Sequence, residues 1–335
     1  MSENKTNQDV LVEIRDLVVE YVSEGDVVHA VNGIDLTLHR GRVLALVGET
    51  GAGKTTTALS ILRLLPKYVS RIPKGEILVE GENIMDLSEE RMREIRGGKI
   101  SMIFQDPMTS LNPVMRVGNQ VAEVVKLHNK HMTKQQIEER VEEIFRMVGI
   151  APGRLRDYPH QFSGGMKQRV MIAIAIACSP ELLIADEPTT ALDVTIQAQV
   201  IKMMRQLQKE LNSSVLLITH DLGIVANFSD DVAIMYAGEI IESGTMEDIF
   251  DTTKPHHPYT VALFGSLPDI YTEAERLNAI PGLMPDPSRL PEGCKFNPRC
   301  SKCMEKCKEG AVPVFQDGEH MIRCHLYGEG EVNHG

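Results

Sequence analysis

Residues 43–65 read VLALVGETGAGKTTTALSILRLL, and this stretch decides the fold. Its apolar opening, VLALV, expected as a strand over Arg42–Leu46, suits a strand buried on both faces of a parallel sheet. Gly48-Glu49-Thr50-Gly51-Ala52-Gly53-Lys54-Thr55 then meets every fixed position of G-x-x-x-x-G-K-[ST]. The run from Thr55 to Leu65 is helical in pattern. Strand, glycine loop and helix in that order make an anion cradle. The glycines let backbone N–H groups turn inward around a polyphosphate. The helix presents the positive end of its dipole to the same anion. Lys54 adds a point charge toward the β- and γ-phosphates, and the Thr55 hydroxyl can ligate Mg²⁺.

Working outward, short β-rich runs alternate with helical stretches. Strands are expected at Leu11–Val22, Ile34–Leu38, Glu76–Val79, Ile100–Phe104, Leu182–Ala185 and Val215–Thr219. Val232–Tyr236 and Glu239–Glu242 read as a hairpin turning at Ala237–Gly238. This alternation predicts an α/β architecture. Thr109 to Gln161 differs: Ile137, Val141, Ile144, Phe145 and Val148 recur at helical spacing and mark a helical insertion.

Five further elements carry chemistry. The strand LLIAD ends in the acids Asp186 and Glu187. Asp186 is suited to hold the metal, directly or through water. Glu187 points the other way along the pleat and can polarise an attacking water. FSGGMKQR, Phe162–Arg169, opens a second helical run and forms a second anion-binding helix start. Two such starts in one chain suggest ATP sandwiched between two protomers. Gln105 ends the strand ISMIF, His220 ends VLLIT within reach of a γ-phosphate, and Asp193 follows the acidic pair within TTALD.

Composition bounds the class. The chain has 335 residues, 42% of them hydrophobic, with 35 Lys plus Arg against 47 Asp plus Glu, a net charge of −12. This is an ordinary soluble composition for two domains, or one domain with an appendage. It excludes a disordered or fibrous chain and argues against nucleic acid, which needs a basic footprint. The longest apolar run, Val170–Cys178, falls short of the roughly 20 residues of a membrane helix and is expected as a buried helix. The N-terminus MSENKTNQDV lacks a signal-peptide core, so the chain is expected in the cytoplasm, reaching a membrane only through a partner.

From Lys254 the texture changes. Pro255, Pro258, Pro268, Pro281, Pro285, Pro287, Pro291 and Pro298 interrupt the chain, and five of its six cysteines crowd the end in the pattern C-x5-C-x2-C-x3-C-x16-C from Cys294 to Cys324. Four thiolates can take Zn²⁺ or a 4Fe–4S cluster. One C-x2-C pair, Cys300 and Cys303, exists where zinc ribbons present two. The tail is expected to be an appendage held by bound metal more than by a core. His320 and His325, which flank Cys324, are expected at the surface.

Over about residues 10–250 the sequence resembles the ABC-transporter ATPase family. The resemblance implies a P-loop ATPase with a RecA-like core, an antiparallel β subdomain and a helical subdomain at about 107–162, the nucleotide-binding domain ending near 253. Gly48–Thr55, with Thr56, resembles its Walker A and Leu182–Asp186 its Walker B. Glu187 would be the catalytic carboxylate, assisted by His220 as the switch histidine. Gln105 would be the Q-loop residue, sharing Mg²⁺ with Thr55 and Asp186. Ser163, Gly164 and Gly165 would form the signature, which serves the partner's ATP, and Ala191–Asp193 the D-loop. Tyr21 stands where the family carries an aromatic on adenine; its alternative is edge-strand packing. Met166 replaces a Gln common in the family and leaves the phosphate contacts of the signature intact.

YPHQFSGGMKQRVMIAIAIAC, ADEPTTALDVTIQAQV and FQDPMTSLNP resemble the dipeptide/oligopeptide importer branch. So do HHPYT at His256–Thr260, IPG at Ile280–Gly282 and GCKFNPRC at Gly293–Cys300, within the tail of residues 254–335. In that branch four tail cysteines, matching Cys294, Cys300, Cys307 and Cys324, hold a 4Fe–4S cluster; zinc is the alternative, and Cys303 has no counterpart. The implied cofactors are ATP, Mg²⁺ and this cluster. The implied partners are a second, different ABC ATPase, two transmembrane permease subunits and an extracellular solute-binding protein, with this chain on the cytoplasmic face and no nucleic acid involved. Nickel or another small solute as cargo, and a soluble ABC ATPase uncoupled from transport, are the rival readings. The soluble kind usually carries two cassettes or a long coiled coil, neither of which is present.

Overall fold

The structure is a computed structural model describing residues 9–23, 25–105, 110–190, 192–266 and 280–327. The chain divides into two compact units. One comprises Met1–Glu13, Thr37–Val43 and Leu78–Thr219; the other comprises Ile14–Leu36, Leu44–Ile77 and His220–Gly335.

In the second unit β3 (Val43–Val47) runs parallel to β9 (Asp231–Tyr236), with Leu44 opposite Asp231 and Val47 opposite Ile234. Continuous apolar sequence fits here because both faces are covered: Ala45, Val47, Val232 and Ile234 are fully buried. β9 turns at Ala237–Gly238 into β10 (Glu239–Thr245), as expected. Both turn residues have positive φ, 47° and 83°, the twist a two-residue hairpin favours. β2 (Asp26–His39), β1 (Val10–Ser23), β4 (Ser70–Val79) and the short β5 (Glu82–Asn83) stand side by side in that order. β2 and β4 begin well before the expected strands: β4 because its outer residues 70–75 are mostly polar, β2 because His29, Asn32 and Gly33 interrupt its apolar residues Val27, Val28, Ala30 and Val31.

In the first unit β6 (Ile100–Ile103), β7 (Leu182–Asp186) and β8 (Ser214–Thr219) are parallel; Ile103 lies opposite Ala185 and Asp186 opposite Ile218. α2 (Glu89–Gly98), capped by Ser88, leads into β6. The helical insertion contains α3 (Val117–His128) and α4 (Lys134–Met147), with Val141, Ile144, Phe145 and Val148 buried and Ile137 half-buried. The apolar run after the signature is a buried helix, α5 (Gly164–Ala175), as expected. Among the described residues no helix is long and apolar enough to cross a membrane.

The tail departs from the expectation of little core. Tyr259 and Phe296 sit in one buried cluster with Ala45, Val47, Ile234 and Tyr236. Tyr236, Tyr259 and Phe296 pack ring against ring at centroid distances of 4.7 to 5.4 Å. Beyond α8 (Met246–Phe250), the tail forms α9 (Pro258–Gly265) and the hairpin β11 (Val314–Asp317) and β12 (His320–Arg323), and β12 pairs with β10. Four-residue strands with charged positions carry no legible pattern. Packing, with or without metal, therefore orders this segment.

His320 is not a surface residue either; it is 3% exposed and points at the fully buried Glu242 of β10. A register shift between Ile240 and Glu242 turns this carboxylate inward. Glu242 accepts from His256 Nδ1 at 2.6 Å, His320 Nε2 at 2.9 Å, the His257 N–H at 2.8 Å and the Thr260 hydroxyl at 2.5 Å. The other nitrogen of His256 faces the Asp251 carbonyl at 2.9 Å. A carboxylate and a carbonyl can only accept, so both ring nitrogens of His256 donate and the ring is an imidazolium. Burial pushes the Glu242 carboxyl up, but the hydrogen bonds from His256, His320 and Thr260 and the His256 charge outweigh it and hold the group at about 2. Burial lowers the His256 pKa, and its bonds to Glu242 and Asp251 reverse this and leave it raised.

The stability of this pair has a pH window. Glu242, with an ordinary value of 4.5, contributes fully above that value and loses its part only in acid. His256 contributes fully below its ordinary 6.5 and loses its part as pH rises through its raised folded value. Melting temperature measured by calorimetry is therefore expected to fall as pH climbs above 6.5 through the raised folded value of His256. His256→Gln should melt lower at the acid end of this range and lack the slope. An equal slope in that variant would refute the assignment. Glu242→Gln, which strands a buried imidazolium, is expected to cost roughly 3–5 kcal/mol.

Candidate nucleotide site

The phosphate loop joins β3 to α1 (Lys54–Ile61), whose N-cap is Gly53 at φ 105°. Two glycines are obligatory. A Cβ on Gly48 would lie 2.2 Å from the Met235 carbonyl oxygen, and one on Gly53 would lie 2.3 Å from the Ala30 carbonyl oxygen. The Gly238 N–H donates to the Ala52 carbonyl at 2.9 Å, so the β9–β10 turn supports the loop from outside. Lys54 Nζ arches back to the carbonyls of Gly48 and Glu49, at 2.7 and 2.9 Å. Thr50, Gly51 and Thr55 are exposed, Ala52 is buried, and Thr56 is half-buried. Tyr21 Oη lies 3.3 Å from Thr56 Oγ1, which sets the ring beside the first turn of α1. His220, in the same unit, is exposed immediately ahead of Asp221, whose carboxylate caps α7 (Leu222–Phe228).

The acidic pair belongs to the other unit. Asp186 is 3% exposed at the end of β7. Glu187 leaves the strand at φ 45°, a left-handed conformation uncommon for a glutamate and typical of strain kept at functional sites. The expected continuation of the pleat thus stops at Asp186. The Glu187 N–H still donates to the Ile218 carbonyl at 2.9 Å, which anchors the kink to β8. Its Oε2 accepts from Gln105 Nε2 and from Thr190 Oγ1, each at 2.9 Å. Gln105 and Glu187 are thus brought together although 82 positions separate them. Thr190 is a partner that the sequence reading missed; its signal is the Glu-x-x-Thr spacing.

Ser163 caps α5 by accepting from the Met166 N–H, and Ser163 and Gly164 are exposed. Gly165 lets Ile196 pack close, since a Cβ there would lie 2.5 Å from Ile196 Cγ2 and would displace that side chain. Asp193 caps α6 (Val194–Leu211) by accepting from the Ile196 N–H at 3.1 Å. Ala191 and residues 106–109, which carry part of the D-loop and of FQDPMTSLNP, lie outside the described residues.

The five tail cysteines are reduced, with Cys307 and Cys324 buried and the rest half-buried. Burial, then the charges of Cys324, Cys307 and Cys300, push the Cys294 thiol up to about 12. Burial, with Cys300 and Cys307 among the further causes, pushes Cys324 up to about 11. Cys294, Cys300, Cys307 and Cys324 are thus electrostatic neighbours, and Cys303 is a neighbour of Cys307 and Cys300. Among the described residues, the one group of three possible ligand atoms all within 4.8 Å of one another is Glu242, His256 and His320. There each ligand atom is already a hydrogen-bond partner of another.

Two family models match the chain: ABC transporter over residues 31–190, and the C-terminal region of oligopeptide/dipeptide transporters over residues 241–307. The chain is 46% identical to the oligopeptide transport ATP-binding protein AppD of Bacillus subtilis strain 168, covering 95% of this chain and 97% of that one. It is 50% identical to the dipeptide transport ATP-binding protein DppD of Lactococcus lactis subsp. cremoris, covering 92% and 88%. Among solved structures it resembles cbiO1 of Clostridium perfringens, part of the ABC transporter complex cbiONQ, with TM-score 0.63 and 30% identity over 73% of this chain and 92% of that one. The ATP-binding cassette MJ0796, at TM-score 0.64 and 24% identity over 70% and 99%, shares the fold.

Proposed function

The chain belongs to the ABC-transporter ATP-binding proteins, and from that membership we propose that it is the ATP-binding and hydrolysing subunit of a peptide importer. One observation carries the reading. A single chain joins an ABC transporter match at residues 31–190 to an oligopeptide/dipeptide transporter C-terminal match at 241–307.

In this reading Tyr21 receives the adenine and Gly48–Thr56 the phosphates. Lys54 supplies positive charge to the β- and γ-phosphates. Thr55, Asp186 and Gln105 hold magnesium, which neutralises charge on the γ-phosphate when bound. Glu187 accepts a proton from the attacking water, and His220 senses the γ-phosphate. The helix start at Ser163–Gly165 serves the ATP of a second, different ATPase, which returns its own. Closing and opening of that pair moves two permease subunits fed by a solute-binding protein, with this chain on their cytoplasmic face. Gln105 is the mechanical link, since its amide holds Glu187 at one side and leads into the helical insertion at the other. A net charge of −12 argues against a nucleic-acid partner.

Cys294, Cys300, Cys307 and Cys324 are read as ligands of a 4Fe–4S cluster. Burial raises the thiol pKa of Cys294, Cys300 and Cys324, a state that a cationic centre reverses. Among the described residues no three cysteine sulfurs all lie within 4.8 Å of one another.

Co-expression with membrane permeases and detergent purification tests the transport reading. Permease subunits should co-purify, and the complex should hydrolyse ATP faster when peptide and its binding protein are added. Co-purification with ribosomes or nucleic acid in place of permeases would overturn it.

A further inference from the structure

Glu49 is an odd residue to find in a loop that receives a polyphosphate, because its carboxylate repels the ligand. In the structure every polar group of Glu49 has a partner. Its carbonyl accepts from Lys54 Nζ at 2.9 Å and from the Ala52 N–H at 3.1 Å. Its N–H donates to Tyr259 Oη at 3.1 Å. Its two carboxylate oxygens accept from Arg299 Nη1 at 3.1 and 3.0 Å. Tyr259 and Arg299 both come from the tail, 210 and 250 positions downstream.

Neither partner is an incidental surface contact. The Arg299 side chain is 6% exposed, while that of Glu49 is 29% exposed. Arg299 Nε donates to the Pro281 carbonyl at 2.9 Å, and Nη1 also reaches Tyr236 Oη at 3.3 Å. Its guanidinium lies 5.8 Å from the Tyr236 ring centroid and 5.9 Å from that of Phe296. Tyr259 is fully buried beneath the loop. Arg299 is therefore held rigid before it meets Glu49, and a preorganised charge pair costs little side-chain entropy.

We infer that Arg299 and Tyr259 are positioning residues of the phosphate loop. Arg299 cancels the Glu49 charge where ATP would otherwise meet it. Tyr259 fixes the backbone of the same residue, and through the Glu49 carbonyl the rest position of Lys54. The peptide-transporter tail is thus part of the nucleotide site. This rests on the ATP-binding reading above.

The test is equilibrium binding of MgATP and of adenosine to the purified full chain, by calorimetry, at low and high salt. Arg299→Gln should weaken MgATP about tenfold at low salt, as expected for one uncompensated charge in a partly screened site, and leave adenosine within about twofold. The weakening should shrink at high salt. Glu49→Gln added to Arg299→Gln should restore MgATP affinity to within about twofold, because neutralising the carboxylate removes the need for the guanidinium. Tyr259→Phe should weaken MgATP without changing the salt dependence. A double variant as weak as Arg299→Gln alone would mean that the arginine only holds the tail together, and would overturn the inference. So would an unchanged affinity in Arg299→Gln. A wild-type chain that binds no MgATP would overturn the ATPase reading itself, a result distinguishable from either of these.

Discussion

Glu187→Gln is expected to bind MgATP and to hydrolyse it about 10²–10⁴-fold more slowly, the usual worth of a positioned general base. The amide keeps the size of the side chain but cannot take the proton of the attacking water. The geometry makes this a clean substitution. Thr190 Oγ1 and Gln105 Nε2, which both donate to Glu187 Oε2 at 2.9 Å, can donate equally to the oxygen of the introduced amide. The φ of 45° at Glu187 is set by the backbone and not by the charge, so the kink after β7 survives. Lys54→Ala should fail earlier, at binding, because the phosphates lose their point charge. Single-turnover hydrolysis in the assembled complex, with nucleotide binding measured in parallel, separates the two variants. A Glu187→Gln complex turning over at the wild-type rate would remove Glu187 from the role of base.

The parts of this site that the sequence discloses are those whose chemistry is local. The cradle Gly48–Thr55 is one consecutive run, and its glycines at 48 and 53 each answer to a carbonyl oxygen within 2.3 Å of where a side chain would start. Asp186 is legible because an apolar strand delivers it. The partners of Glu49 are not, since Tyr259 and Arg299 look like a Pro-Tyr and a Pro-Arg in a proline-rich tail. Glu242 reads as one more end of a strand, because no periodicity distinguishes a charged residue turned inward by a register shift. The same blindness hides β12: its partner β10 ends in polar residues, and only pairing gives the run from His320 to Arg323 a reason to be extended. A tail that reads as short of core is short only of consecutive apolar residues; Tyr259, Phe296 and Ile322 are scattered, yet all are buried.

Cys→Ser variants at 294, 300, 307 and 324 are each expected to abolish the metal centre, whereas Cys303→Ser should keep it. Either metal takes four protein thiolates, and the chain offers five in this segment. Cys303 is the one without a counterpart in the peptide-importer pattern that the tail resembles. Iron, sulfide and zinc analysis after anaerobic purification reads the outcome. Stoichiometric zinc without sulfide would replace the cluster, and loss of metal in Cys303→Ser with retention in Cys307→Ser would replace the ligand set. The consequence of an empty site should be local but not confined to the cysteines. The aromatic cluster of Tyr236, Tyr259 and Phe296 and the β10–β12 pairing keep the tail folded without metal. Arg299, however, immediately precedes Cys300, and its guanidinium is what balances Glu49 in the phosphate loop. Removing the restraint on Cys300 frees the backbone that aims this arginine. Metal-free protein is therefore expected to bind MgATP more weakly, and Glu49→Gln should make its affinity indifferent to the metal.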